Sequence, residues 1–313
     1  METNNFKPAI QRTILAISGI VVFLIFWSIV SQNIKTSLGD FPGPVSVYSQ
    51  FNNLADEHFV EKEKEKKFYQ RQKIKNEKRL EEDPNYQVKK RTYTGPDTFF
   101  EQIATSLITV LTAFLLGSVI AIPIGLVIGI SEKIYTAFNP IIQVFKPVSP
   151  LAWLPLVTIV VSSVYVSNDP MFEKSFIIAT ITVILSSVWP TIINTAVGVA
   201  GVPKDLLNVS FVLRLDSMTH LRKIVIPASI PMIFAGLRVS IGIAWMVLIA
   251  AEMLSQSPGL GKFVWDEFQN GSSQSMSRIM VAVIVIGLIG FTLDRLILFL
   301  QKKMSWDKSA IMR

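Results

Sequence analysis

The sequence predicts an all-α membrane protein with six transmembrane helices, and three observations carry that expectation. Half of the 313 residues are hydrophobic and the mean hydropathy is +0.45, too apolar for a soluble chain that buries one or two cores. Six apolar runs are each long enough to cross a hydrocarbon core of roughly 30 Å, which takes about 20 helical residues. The basic residues gather at the edges of these runs, as orientation of a multi-pass chain requires.

Residues 1–12 read as a cytoplasmic N-terminus and 13–31 as the first transmembrane helix, with its apolar run at Thr13–Val30. That run could be a signal-peptide core. No Ala-x-Ala cleavage pattern follows it, so a retained helix is expected. Residues 32–102 form an external charged insertion. Its first stretch, LGDFPGPVSVYSQF, carries two prolines and two glycines and reads as an extended, turn-rich lead-in rather than a helix. Asp56–Arg91 is then crowded with Glu and Lys, with Glu61–Lys64, Glu63–Lys67 and Lys78–Glu82 at helical pair spacing. Too few apolar residues interrupt it to bury a core. It is a solvated helix or mobile insertion, or else a docking surface for an external partner.

Residues 103–300 form the core, with five transmembrane helices expected near Ile103–Ile130, Pro140–Val166, Phe176–Ala200, Ala228–Leu254 and Arg278–Leu300, before a cytoplasmic tail at 301–313. Pro123, Pro147, Pro150, Pro155, Pro190 and Pro231 fall within or beside these runs. Each removes a backbone donor and bends a helix. Such clustering fits a transport pathway as well as ordinary kinking.

Absent cysteine and only two histidines, His58 and His220, argue against thiolate or histidine metal sites and cysteine nucleophiles. The net charge of +7 does not imply nucleic acid. With a cytoplasmic N-terminus, the inner segments collect Lys7, Arg12, Lys133, Lys204, Arg214, Arg222, Lys223, Lys302, Lys303, Lys308 and Arg313, and the short outer loops keep Lys174 and Lys262. The lysine-rich loop 32–102 is long enough to escape that rule. A membrane-embedded enzyme would need a metal cluster, a nucleophile with its base or paired carboxylates, and the sequence offers none. A secondary transporter or channel would want a coupling carboxylate near mid-membrane, whereas Glu252 and Asp294 lie near span ends.

The most informative stretch is Pro203–Glu252, where an amphipathic segment feeds directly into a long apolar helix. Pro203 suits a first helical turn, and Leu206, Leu207, Ser210, Phe211 and Leu213 repeat at helical spacing. Asp216 can cap a second short helix through His220 to Ile226. The two would meet at an angle with Arg214, Asp216, His220, Arg222 and Lys223 outward, a polar knob for a soluble partner. An amphipathic loop on the lipid surface is the alternative.

The spacing to Ile224-Val225-Ile226-Pro227, followed by Ala-Ser-Ile-Pro and Gly236-Leu237-Arg238, resembles the conserved cytoplasmic loop and following helix of ABC-importer permeases. That family's consensus is Glu-Ala-Ala, three residues, Gly, then a stretch ending Ile-x-Leu-Pro. Aligned on Pro227, this chain has Asn208-Val209-Ser210 for Glu-Ala-Ala and Arg214 for the Gly. The runs KPVSPLAWLPLV, NTAVGV, AAEML and PGLGKFVWDEFQNGSS resemble the nitrate, bicarbonate, cyanate, taurine and sulfonate group, the nitrate type most.

The resemblance implies a type I-like permease fold with a cytoplasmic coupling helix seated in an ATPase subunit. The residues matched to that coupling role are Leu206, Phe211, Arg214, Asp216, His220, Arg222, Lys223 and Pro227. It also implies a bacterial inner-membrane location with both termini cytoplasmic, an external solute-binding protein, and a second permease copy, expected to be identical. ATP and Mg would be bound by the partner ATPase and no cofactor by this chain. Gly259-Leu260-Gly261-Lys262 is not a phosphate loop, since Gln256 and Phe263 stand where a glycine and a hydroxyl are needed. The family carries a Gly-Leu-Gly turn there, which meets the binding protein.

Four residues are pathway candidates: Arg238, Lys146, Trp245 and Glu252. A charge at Arg238, well inside the fifth span, needs a partner, an anion or water. It either attracts an oxyanion or pairs structurally. Lys146 either attracts anions or snorkels to an interface. Glu252, on nearly the same helix face but close to the outer end, suits a gate or hinge contact. Trp245 is read with the caution that such tryptophans more often anchor than stack on ligands.

Overall fold

The computed structural model describes residues 6–36, 39–83, 85–166 and 172–304. The expected tail at 301–313 therefore lies, beyond residue 304, outside the described residues, as do residues 1–5 of the N-terminus. The chain divides into two compact units, 1–101 with 263–284, and 102–262 with 285–313.

In the first unit, helix α1 (Phe6–Asn33) is followed by a two-residue antiparallel pair, β1 (Lys35–Thr36) with β2 (Gly39–Asp40). This pair is a small exception to the all-α expectation. Helix α2 then runs from Pro44 to Glu82. The turn-rich lead-in is thus shorter than expected, because Pro44 occupies the first helical turn, where its missing N–H costs nothing. Trp27 Nε1 donates to Pro42 O at 3.1 Å and fixes the approach.

Helix α2 buries Val47, Gln50 and Leu54, all near its start, so its distal part is solvated as its composition demands. Lys64 lies 2.9 Å from Glu61 and Lys67 lies 2.6 Å from Glu63, two of the expected pairs. The segment after α2 folds back along it: Asn76 bonds Lys89 O at 3.2 Å, Gln72 bonds Arg91 O at 3.0 Å, and the Tyr93 hydroxyl donates to Glu61 at 2.6 Å. That last bond holds the Glu61 carboxyl below its usual range.

In the same unit, Arg278 grips Glu57 with both Nη atoms, at 2.7 and 3.0 Å, and its Nε lies 2.5 Å from Glu267. Ser275 Oγ also donates to Glu267 at 3.0 Å. The sequence reading does not show this cluster, since Glu57 lies 221 residues from Arg278.

The second unit is a helical body. It contains most of α3 (Phe99–Ile130), then α4 (Glu132–Phe145), α5 (Pro150–Val164), α6 (Lys174–Ala200), α7 (Lys204–Val212), α8 (Ser217–His220) and α9 (Ile226–Ser255). Helices α10 (Leu260–Asn270) and α11 (Ser275–Met304) each contribute one end to it. Among the described residues three apolar clusters hold it: Ala121, Ile128, Ile142, Ile192 and Ala196 join α3, α4 and α6. Leu154, Val157, Val161, Ile178 and Ala251 join α5, α6 and α9. Val199, Val202 and Val225 close the end near α7.

Helices α6 and α9 approach closely at Gly236, where a Cβ would stand 2.9 Å from Thr191 Cα and 3.0 Å from Pro190 O. Small residues permit such backbone contact between apolar helices. Thr191 and Ser240 hydroxyls bond beside it at 2.8 Å.

Two expectations are corrected. The third span, expected as one helix over Pro140–Val166, is two helices bent by 93° at a break between Phe145 and Pro150. Pro147 and Pro150 cannot both sit in one continuous ladder, and Ser149 Oγ instead caps α5 by accepting from Leu151 N at 3.3 Å. The second short helix after Asp216 is also not separate from the fifth span: Ser217–Ser255 is one 39-residue helix, with a π-helical turn at Leu221–Val225. Among the described residues, four helices are long and apolar enough to cross a membrane, and the bent pair makes a fifth.

Candidate functional site

The amphipathic segment forms two helices joined by a tight turn. Pro203 is the N-cap of α7, and Arg214 ends its turn with φ of 45°. Arg214 N donates to Phe211 O and Leu215 N to Ser210 O, both at 3.1 Å. This left-handed conformation suits glycine, which explains why glycine is the consensus residue at the position Arg214 occupies. Asp216 caps α8 as expected, accepting from Thr219 N at 3.1 Å. Side-chain and backbone hydrogen bonds from Thr219 hold its carboxyl below the usual range.

The outward set is partly as expected. Arg214, Asp216, Arg222 and Lys223 are exposed, and Pro227 sits in the first turn of α9. His220 is not fully outward: it is half-buried, with Nδ1 2.7 Å from the buried Ser210 Oγ. Leu206 is exposed and Phe211 more so, at 77 %, beside exposed Val209, Val212 and Leu213. A groove of about 940 Å³ runs between this segment and the helical body, lined in part by Leu207, Phe211, Leu215, Met218 and Leu221. The segment thus presents exposed apolar side chains ringed by charge, with none of the described residues covering them.

Of the four pathway candidates, the structure sets Arg238 apart. Its Nε bonds Asp294 Oδ1, and its Nη2 donates to Oδ2 at 2.9 Å. The pair borders a cavity of about 580 Å³. Lys146 is exposed at the C-cap of α4, beside the break in the bent pair. Trp245 is buried at 5 % exposure, its Nε1 donating to Ile286 O at 2.9 Å and its ring against Gly290. That position makes it a packing residue between α9 and α11.

Glu252 is almost fully buried and accepts from Ser106 Oγ, at 2.8 and 2.9 Å, and from Gly261 N at 2.9 Å. Ser106 Oγ in turn accepts from Leu260 N at 2.9 Å. The carboxylate therefore receives an N–H at the start of α10, which a helix N-terminus favours. A Cβ at Gly259, whose φ is 149°, would overlap the Glu252 carboxyl group. The Gly-Leu-Gly turn is thus shaped around Glu252, a relation the sequence reading did not make.

Asp294, expected near a span end, instead stands ten residues inside the end of α11 at Met304, and it could have been found as the partner of Arg238. An intramembrane charge demands an opposite one, and Asp294 is the acid within the Arg278–Leu300 run.

Comparison with known proteins is consistent with this architecture. The family described as "Binding-protein-dependent transport system inner membrane component" matches residues 121–306. A nitrate import permease protein, NrtB, of Leptolyngbya laminosa is 37% identical over 69% of this chain and 74% of its own length. A bicarbonate transport system permease protein, CmpB, of Synechococcus elongatus is 32% identical over 95% of this chain and 91% of its own. Among solved structures, the MetNI methionine ABC transporter in an inward-facing conformation matches with a TM-score of 0.53, at 16% identity over 64% of this chain and 94% of that one. The last likeness speaks to fold alone.

Proposed function

The chain belongs to the binding-protein-dependent transport system inner membrane component family, and on that premise we propose that it is the permease subunit through which an ATP-driven importer moves nitrate or nitrite across the inner membrane. As an ABC permease subunit it is a transporter component and not an enzyme. Six spans follow if α1 joins the four long helices and the bent pair. With the N-terminus taken as cytoplasmic, six crossings leave residues 204–225 and both termini on that face and the loops carrying α2 and α10 on the other.

The observation that carries the reading is the continuity of Ser217–Ser255. One helix joins the Ser217–Lys223 part of the exposed knob to Arg238 beside its cavity. Force applied to the knob by a nucleotide-driven ATPase reaches the pathway without a flexible joint. That is a rigid-body switch between two packings. ATP and Mg belong to the ATPase in this scheme, an external solute-binding protein delivers the anion, and two identical permease copies enclose the path. The coupling set is Leu206, Phe211, Arg214, Asp216, His220, Arg222, Lys223 and Pro227, with Lys146 as a candidate for anion attraction and Glu252 as a gate or hinge contact.

Nitrate is favoured by the likeness to the nitrate permease. Bicarbonate is the second reading, because the bicarbonate permease matches 95% of the chain. The test is uptake in cells with and without this subunit, the binding protein and ATPase both present and other nitrate importers removed. Loss of ATP-dependent nitrate accumulation on deletion is expected. Unchanged nitrate uptake with lost bicarbonate uptake would transfer the assignment to bicarbonate.

A further inference from the structure

The Arg238–Asp294 pair lies well inside its two helices, away from their ends. At about 1.5 Å rise per residue, Arg238 lies roughly 18 Å along α9 from Ile226, and Asp294 roughly 15 Å along α11 from Met304. The side chains are still 38% and 31% exposed. Exposed charge at such depth belongs to water or protein rather than hydrocarbon. The cavity beside the pair has small side chains in its wall, Ala235 and Gly242, and Gln301 toward one end. Gln301 Nε2 is directed to Pro231 O at 3.3 Å.

A second guanidinium stands nearby. Arg295 Nε is 3.8 Å from Asp294 Oδ2, with its guanidinium 4.9 Å from the centre of the Phe291 ring. Two cations against one carboxylate leave this cluster net positive.

We propose that Asp294 is a specificity-setting residue: its carboxylate is a resident stand-in for the transported anion, which binds Arg238 by exchanging with it. This rests on the reading of the chain as an anion permease. A carboxylate, nitrate, nitrite and bicarbonate share one feature, a planar O–X–O edge over which a single negative charge is spread. The guanidinium fork reads that edge with two parallel N–H bonds. Arg238 is already held in that geometry by Asp294, so a planar, singly charged oxyanion finds the fork preformed.

The exchange also sets residence time. A translocation site must bind well enough to admit the ion and weakly enough to release it. An Arg238 without a competitor would retain its anion longer. If Arg238 is free of Asp294 about one-tenth of the time, the apparent affinity falls about tenfold below that of the unopposed site.

The experiment uses the intact importer complex in lipid nanodiscs without nucleotide, and equilibrium binding of isotopically labelled nitrate, with bicarbonate and chloride in parallel. Asp294→Asn should bind nitrate roughly tenfold tighter and release it more slowly, and the double variant Asp294→Asn/Arg238→Gln should lose that increase. Arg238→Lys, which keeps charge but not the fork, covers the case in which Asp294→Asn fails to assemble. It should weaken nitrate relative to chloride, and an unchanged nitrate-to-chloride ratio overturns the proposal. Tightening for bicarbonate alone keeps the role of Asp294 and moves the substrate. Unchanged binding of both oxyanions by assembled Asp294→Asn, with the wild type still accumulating nitrate in cells, overturns this inference and leaves the permease reading standing.

Discussion

Gly259 and Glu252 are predicted to be energetically coupled, and a double-mutant cycle measures it. In Glu252→Ala, the buried Ser106 hydroxyl and Gly261 N–H lose the acceptor they reach at 2.8–2.9 Å. An orphaned buried donor costs about 1–3 kcal/mol, so the substitution should destabilise this end of the helical body by about 2–6 kcal/mol. Gly259→Ala forces a side chain into φ of 149°, a strain of about 1–3 kcal/mol, and drives its Cβ into the Glu252 carboxyl group.

Shortening Glu252 removes the second of these costs but not the first. The double variant should therefore be less destabilised than the sum of the singles, by about 0.5–3 kcal/mol. The assay is amide hydrogen exchange at Leu260 and Gly261 in the detergent-solubilised complex, with thermal unfolding alongside. Strict additivity, or unchanged exchange at Gly261 in Glu252→Ala, would refute the idea that the turn is built around the carboxylate.

Arg214→Gly should relieve the positive φ of 45° and stabilise the α7–α8 turn by about 1 kcal/mol, read as a small rise in melting temperature. A fall would show that the Arg214 side chain contributes more than its backbone costs. Arg278→Met should leave Glu267, only 8% exposed, without its cation, at a cost of about 3–5 kcal/mol. Limited proteolysis should then cut α2 near Glu57 faster. Asp216 has a folded carboxyl pKa below the usual value, so its contribution is present above the ordinary carboxylate range and lost as pH falls through the lowered folded value. Protection of the Thr219 amide relative to its intrinsic exchange rate should fall on that acidification, and Asp216→Ala should remove the pH step.

Much of this architecture was legible because apolar runs and cap residues act locally. The spans at Phe176–Ala200 and Ala228–Leu254 fall within observed helices, and Asp216 caps the helix its spacing announced. The break between α4 and α5 was harder to read, because the apolar run of Pro140–Val166 continues across it. Hydropathy does not distinguish a straight span from one folded by 93°. Pro147 and Pro150 carry that information, but by sequence alone they read as kinks.

The relations missed at the candidate site are the long-range ones. Ser106 meets Glu252 across 146 residues, and Arg238 meets Asp294 across 56. No periodicity encodes such pairings. His220 was misplaced for a related reason: its polar side chain suggested solvent, while the buried Ser210 hydroxyl needed a partner and drew it inward.

The central claim is that this chain couples a soluble ATPase to anion movement through the Phe211–Lys223 knob. Its most direct test is the reconstituted importer in proteoliposomes, with binding protein present, measuring labelled nitrate accumulated for each ATP hydrolysed, for wild type and for Arg222→Glu/Lys223→Glu with Phe211→Ala. The account predicts ATP-dependent accumulation by the wild type, and a variant that loses accumulation while the ATPase continues or ceases to respond to binding protein. A variant with both activities and their ratio unchanged would contradict it.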